Sequence, residues 1–132
     1  MLKVQQLRKS CLNCGNLPAR SAYKYCSIKC QQAYQFRDYI QKWKIGKLSG
    51  LSKQGLVSPQ IKRYLREKHN NQCCLCGWTK VNPITKKVPL VADHIDGNWR
   101  NNLESNLQLV CPNCDSLSPT YKGGGKNIRQ GR

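Results

Sequence analysis

Phenylalanine and methionine occur once each in these 132 residues, and six acids face 23 lysines and arginines. With 39% apolar residues and so few bulky ones, a single core built from large side chains is out of reach. No uncharged apolar run is long enough to cross a bilayer, which predicts no membrane partner. Met1–Ser10 holds no apolar stretch of the signal-peptide kind, so the chain is expected to be cytoplasmic and not secreted. No Ser-His-Asp arrangement and no phosphate-binding glycine loop is visible, Gly123–Gly125 reading as a tail element, and no small-molecule cofactor is expected. The absence of heptads or a long apolar face predicts a monomer or weak dimer.

What the sequence does have is nine cysteines. In an unsecreted chain they point to metal instead of disulfides, and a protein so poor in core formers needs such staples. It also has a formal charge of +17. Residues 1–57 carry 11 cations and a single acid, Asp38, whereas residues 58–132 carry 12 cations and five acids. An excess of this size is the electrostatic footprint of a polyanion binder with salt-dependent affinity.

The N-terminal part, residues 1–45, holds Cys11-x2-Cys14 and Cys26-x3-Cys30, two close pairs able to close a tetrahedral S4 site around Zn²⁺. Gly15 follows the first pair, where a knuckle must turn its amides toward the sulfurs. Beyond Cys30 the pattern turns helical. Ala33, Phe36, Tyr39 or Ile40, and Trp43 recur every three or four residues, with Arg37, Gln41 and Lys44 on the other side. Residues 46–57, rich in Gly, Ser and Lys, read as a linker. Ser58-Pro59 is a helix-start signal, with Ser as N-cap and Pro at the first helical position. It predicts a short basic helix over roughly 59–69, with Ile61, Tyr64 and Leu65 inward and Lys62, Arg63, Arg66 and Lys68 outward.

The remaining domain, residues 58–132, carries Cys73, Cys74, Cys76 and the pair Cys111-x2-Cys114. Cys73 and Cys76 make the only C-x2-C pair of the first group, so Cys74 is the ninth, unused thiol. A second zinc on Cys73, Cys76, Cys111 and Cys114 would clip together the ends of the intervening segment. That segment contains a β-rich run through Asp93-His94, an Asp96-Gly97-Asn98 turn, and a short strand starting after Asn106. Pro112 then opens a helix that carries Asp115 in its first turns. The local order is strand, loop, strand, helix. Asp96 reads as a turn former, and Trp78 and Trp99 as packing residues.

At these residues, from about Cys73 to Thr120, the chain resembles the HNH endonucleases, the ββα-metal nuclease group. The resemblance rests on the framing cysteines, Asp93-His94, Asp96-Gly-Asn, Asn106-Leu and Cys111-Pro-Asn-Cys114, with twelve and then nine residues from His94 to Asn106 to Asp115. The N-terminal knuckle and the Pro119-Thr-Tyr-Lys-Gly tail look like small free-standing phage or prophage members, acting in a bacterial host or phage-infected cell. The resemblance implies a small zinc-stabilised α+β fold, ββα-metal and treble-clef-like, and a metal-dependent, homing-endonuclease-like enzyme that nicks or cleaves double-stranded DNA in a homing, restriction or packaging role. His94 would be the general base and Asp93 a metal ligand, while Asn106 would hold the hairpin loop and help orient His94. The helix position, usually His or Asn in the family, is Asp115 here. Two carboxylates favour Mg²⁺ or Mn²⁺ as the one catalytic ion beside two structural zinc ions. Candidate phosphate contacts are Lys86, Lys87, Arg100, Lys122, Lys126 and Arg129. The competing readings are a non-catalytic zinc-stabilised DNA-binding protein and, leaving the Asp-His-Asn spacing unexplained, an RNA-binding zinc protein.

Overall fold

The computed structural model describes residues 9–20 and 22–121. They form a small α+β protein with helices α1 (Ile28–Lys44), α2 (Pro59–Lys68) and α3 (Pro112–Ser116) and strands β1 (Val91–His94) and β2 (Leu107–Val110). The chain divides into two compact units, Met1–Gln41 and Lys42–Arg132, so the last turn of α1 counts with the second. No helix among the described residues is long and apolar enough to cross a membrane.

In α1 the apolar stripe is the covered side. Ile40 and Trp43 are buried and Ala33 and Phe36 half-buried, while Arg37, Gln41 and Lys44 are exposed. Ser27 Oγ accepts from Cys30 N at 3.2 Å at the start of the helix. At the other end Lys47 N bonds Lys42 O and Gly46 N bonds Trp43 O, with Gly46 at φ +83°. Those two bonds satisfy orphan carbonyls, and the left-handed residue between them is most cheaply glycine. In α2 the Ser58 side chain accepts from Ile61 N at 3.3 Å, and Ile61 and Leu65, one turn apart, are fully buried.

Residues 46–57, whose composition suggests a spacer, are folded into the second unit. Leu51 and Val57 form an antiparallel bridge, and Ser58 N bonds Gly50 O at 2.9 Å. Gly50 sits at φ +80°, and a Cβ there would lie 2.5 Å from Ile61 Cδ1, 3.1 Å from Trp43 Nε1 and 3.2 Å from Asn102 Cβ. Ile61 has no exposed surface and therefore no room to yield. Gly50→Ala should cost about 2–4 kcal/mol, from overpacking together with the left-handed backbone. A denaturant midpoint equal to wild type by circular dichroism would show that the pocket relaxes.

β1 and β2 pair antiparallel, with Val91 opposite Val110, Asp93 opposite Gln108 and His94 opposite Leu107. β2 is the buried strand: Leu109 and Val110 are each 1% exposed. Val110 packs with Cys73 and Cys111, against which Trp78, Leu90 and Cys114 also lie. Here sulfur and aliphatic side chains share one core, so holding the cysteines in place and burying β2 are one task. α3 starts at Pro112 with Cys111 as its N-cap and packs on both strands. Glu104, in the turn before β2, accepts from Tyr64 Oη at 2.9 Å and Lys68 Nζ at 3.2 Å, with Lys44 Nζ at 3.8 Å. Burial alone would push its carboxyl up. The Tyr64 and Lys68 bonds and the Lys44 charge outweigh burial and hold it below the usual range.

Candidate active site and cysteine clusters

Eight of the nine cysteines gather in two sets. Cys11, Cys14, Cys26 and Cys30 form one and Cys73, Cys76, Cys111 and Cys114 the other, the sulfurs of each lying within 4.8 Å of one another. Sulfur separations of 3.4 Å (Cys14–Cys26 and Cys26–Cys30) and 3.7 Å (Cys76–Cys111) exclude disulfides. They suit a tetrahedral ion with Zn–S bonds of about 2.3 Å, whose sulfurs stand about 3.8 Å apart. Each set could hold a zinc ion.

The two knuckles repeat one backbone pattern. Gly15 N bonds Cys11 O and Gly77 N bonds Cys73 O, with both glycines near φ +79° and +78°. Cys11 N bonds Asn16 O, and Cys73 N bonds Trp78 O. The electrostatics repeat too. Burial disfavours charge on Cys11, yet amides of Cys14, Cys26 and Asn13 outweigh it and lower the thiol to about 6. Cys73 is lowered to about 6 against burial in the same way, by amides of Cys111, Cys76 and Leu75. Within the same sets, hydrogen bonds from neighbouring thiols, with burial added, push Cys26 and Cys114 up to about 12. Four crowded sulfurs cannot all ionise without a cation among them, and that is the demand a zinc site meets. Cys74 is exposed and stands outside both sets, its sulfur 4.0 Å from Gln108 Oε1.

Asp93 and His94 are the last residues of β1. The cross-strand partner of Asp93 steadies it: Gln108 Nε2 donates to Asp93 Oδ2 at 2.8 Å. Asp115, half-buried in α3, has its carboxyl raised by burial and then by the negative charge of Asp93. The strand end and the helix thus bring two carboxylates within repelling range. A hard divalent cation held between them would relieve that repulsion, so the donor set fits Mg²⁺ or Mn²⁺. Among the described residues, the groups of three or more metal-ligating side chains are the two cysteine sets.

The loop after β1 is organised by one carboxylate and several asparagines. Asp96 accepts from Asn98 N and Asn101 Nδ2, each at 2.8 Å, and from Asn106 Nδ2 at 2.9 Å. Its carboxyl is held low chiefly by Asn101, with Asn98 and Asn106 adding to this. Asn106, 8% exposed, also receives Asp96 N on its Oδ1 at 3.0 Å and donates to Asn101 O at 2.8 Å. Its hydrogen bonds therefore go to the loop.

The side chain on the His94 ring is Asn102, whose Oδ1 lies 2.7 Å from His94 Nε2. Asn102 is 3% exposed, its Nδ2 donates to Trp99 O at 3.1 Å, and its backbone carbonyl accepts from Trp43 Nε1 at 2.7 Å. The signal for it in the sequence is the Asn101-Asn102 doublet, which does not say which member turns inward.

Of the candidate phosphate contacts, Lys86 and Lys87 are exposed on a turn capped by Asn82, whose Oδ1 accepts from Ile84 N at 2.8 Å. The Arg100 guanidinium lies over the Trp99 ring, 4.9 Å from its centroid, and Trp99 is 51% exposed. Trp78, by contrast, is half-buried and packs against Cys73, Val110 and Cys111. Lys122, Lys126 and Arg129 lie outside the described residues.

Over 80 residues, 61% of its length, the chain is 38% identical to the H-N-H endonuclease F-TflIV of Escherichia phage T5. The chain spans 32% of the length of that relative. No protein-family profile matches the chain. No solved structure matches it either.

Proposed function

We propose that the protein is a metal-dependent HNH endonuclease that nicks double-stranded DNA, with residues 58–132 as its ββα-metal domain and residues 1–45 as an added zinc knuckle and helix. The observation that carries this reading is the cluster at the end of β1. Asp115 is half-buried and feels the negative charge of Asp93, and the neighbouring His94 ring is held by a buried amide.

That amide supports an assignment of the base atom. Trp99 O only accepts, so the end of Asn102 facing it is the NH2 group, and Oδ1 faces the imidazole. Oδ1 in turn only accepts, so His94 Nε2 carries the hydrogen and Nδ1 holds the lone pair. His94 Nδ1 takes a proton from water, the water oxygen bonds to phosphorus, and the bond to the leaving 3′-oxygen breaks in line. The leaving 3′-oxygen takes a proton from solvent water, so the products carry 5′-phosphate and 3′-hydroxyl ends. Asp93 and Asp115 would hold a divalent ion, which when bound would supply positive charge toward the reacting phosphate and the leaving oxygen. Gln108 and Asn102 act as positioning residues for Asp93 and His94.

Supercoiled plasmid in Mg²⁺ or Mn²⁺ is the direct test. One active site cuts one strand, so the wild type should convert it to open circles before any linear product. No conversion, with duplex binding intact, would identify a non-catalytic DNA-binding protein instead.

Three substitutions at two positions probe the assignments. Asn102→Ala should lower the nicking rate about 10- to 100-fold by loosening the ring, with duplex binding unchanged; a wild-type rate would release His94 from this support. Asp115→His should keep activity and widen the range of metals accepted, whereas Asp115→Ala should raise the Mn²⁺ concentration needed for half-maximal nicking. An alanine variant that cuts as wild type at every Mn²⁺ concentration would remove Asp115 from the ligand set.

A further inference from the structure

α2 buries Ile61 and Leu65, which leaves Lys62 and Arg66 one turn apart, about 6 Å along the axis, on an adjoining side. Both line a cavity of 420 Å³ whose other walls include His94 and Trp99. A second cavity, of 590 Å³, is lined by Arg66 again, with Asn70, Asn71, Lys86 and Lys87. Arg66 thus stands between the two. One of its N–H groups donates to Val88 O at 3.0 Å, which fixes the guanidinium there and leaves the rest of its fork for an anion.

Among the described residues, no carboxylate lines either cavity, although four cations do. A single phosphate would engage one or two of them. Cations spaced along a path that begins at His94 match a ligand whose charges repeat, and the apolar wall of Leu56, Leu90 and Val91 suits sugar edges between phosphates.

We infer that one strand of the DNA duplex leaves the cleavage site along this groove, its phosphates meeting Lys62, Arg66, Lys86 and Lys87 in turn. The inference rests on the reading of the chain as a DNA nuclease and assigns the path of the strand beyond the reacting phosphate. Asn70 and Asn71, with φ of 55° and 54°, place amide side chains at the far end, where base edges or sugars pass.

The test is binding of a fluorescein-labelled 20-base-pair duplex, followed by anisotropy across a salt series without added Mg²⁺ or Mn²⁺. It compares wild type, Lys62→Gln/Lys87→Gln, and the charge-matched control Lys29→Gln/Lys47→Gln. All four lysines are exposed, so neither pair should disturb folding. The groove pair should weaken binding roughly tenfold and flatten the slope of log K against log salt by about 1.8, or 0.9 per lost phosphate contact. The control pair should change the slope by less than half as much. Equal losses in the two pairs would replace the groove with a diffuse basic surface and overturn the inference. So would a single-stranded RNA of equal length that displaces the duplex more tightly than unlabelled duplex does. If wild type and the groove variant differ as expected while plasmid is never nicked, the catalytic reading fails and the groove stands. If nicking is robust and the groove variant binds as wild type, the groove falls alone.

Discussion

His94→Ala should bind duplex DNA as the wild type does and nick supercoiled plasmid about 10²- to 10⁴-fold more slowly, the range expected when a positioned general base is removed. The fold should survive. His94 is only half-buried, its place in β1 is set by backbone pairing with Leu107, and Asn102 keeps its bonds to Trp99 and Trp43 when the ring is gone. The vacated position opens onto the cavity beside α2, so added imidazole should enter and restore part of the rate. That recovery separates loss of a base from loss of shape. Equal nicking by both proteins would mean either a contaminating nuclease or a base elsewhere, and purification through a DNA-affinity column distinguishes them.

The second large effect concerns the metal. Purified protein should carry two Zn²⁺ per chain, and chelation should unfold it instead of merely silencing it. The reason lies in the core. Cys73 and Cys111 are each 3% exposed and pack against Val110, so the second cysteine set is continuous with the buried face of β2. Structural zinc contributes about 10–16 kcal/mol in small zinc peptides, against a usual domain stability of about 5–15 kcal/mol. Few bulky side chains remain to compensate. Cys111→Ser should therefore lose the circular dichroism of the fold together with one zinc, while Cys74→Ser should lose neither. A folded, metal-free wild type would overturn the staple argument.

Much of this was legible in the residues because it is set locally. A C-x2-C pair must turn its backbone to aim two sulfurs at one point, so spacing alone announced both sets, including the omission of Cys74. The Ser58-Pro59 start of α2 and the Trp43 stripe of α1 follow from backbone valence and helical period in the same way. Asp96-Gly97 announced a turn, and the Asp96 carboxylate is indeed spent on the loop.

Other features depended on partners far apart in the chain. Composition suggests a spacer over residues 46–57, yet Gly50 lies against Ile61, Trp43 and Asn102, a fit that local composition does not encode. The resemblance implied that Asn106 would help orient His94; its amide bonds Asp96 and Asn101, and Asn102 is what meets the ring. Two asparagines four residues apart have the same chemistry, and only packing decides which one turns inward.

By itself, then, the sequence determined the elements, the two thiol sets, the positive field and the chemical types at Asp93, His94 and Asp115, since each follows from spacing, charge or valence within a short stretch. The tertiary structure alone decided that Asp115 feels the charge of Asp93, that Asn102 holds Nε2 of His94, and that Arg66 stands between two basic cavities, because these depend on how β1, α2, α3 and the intervening loop pack in space.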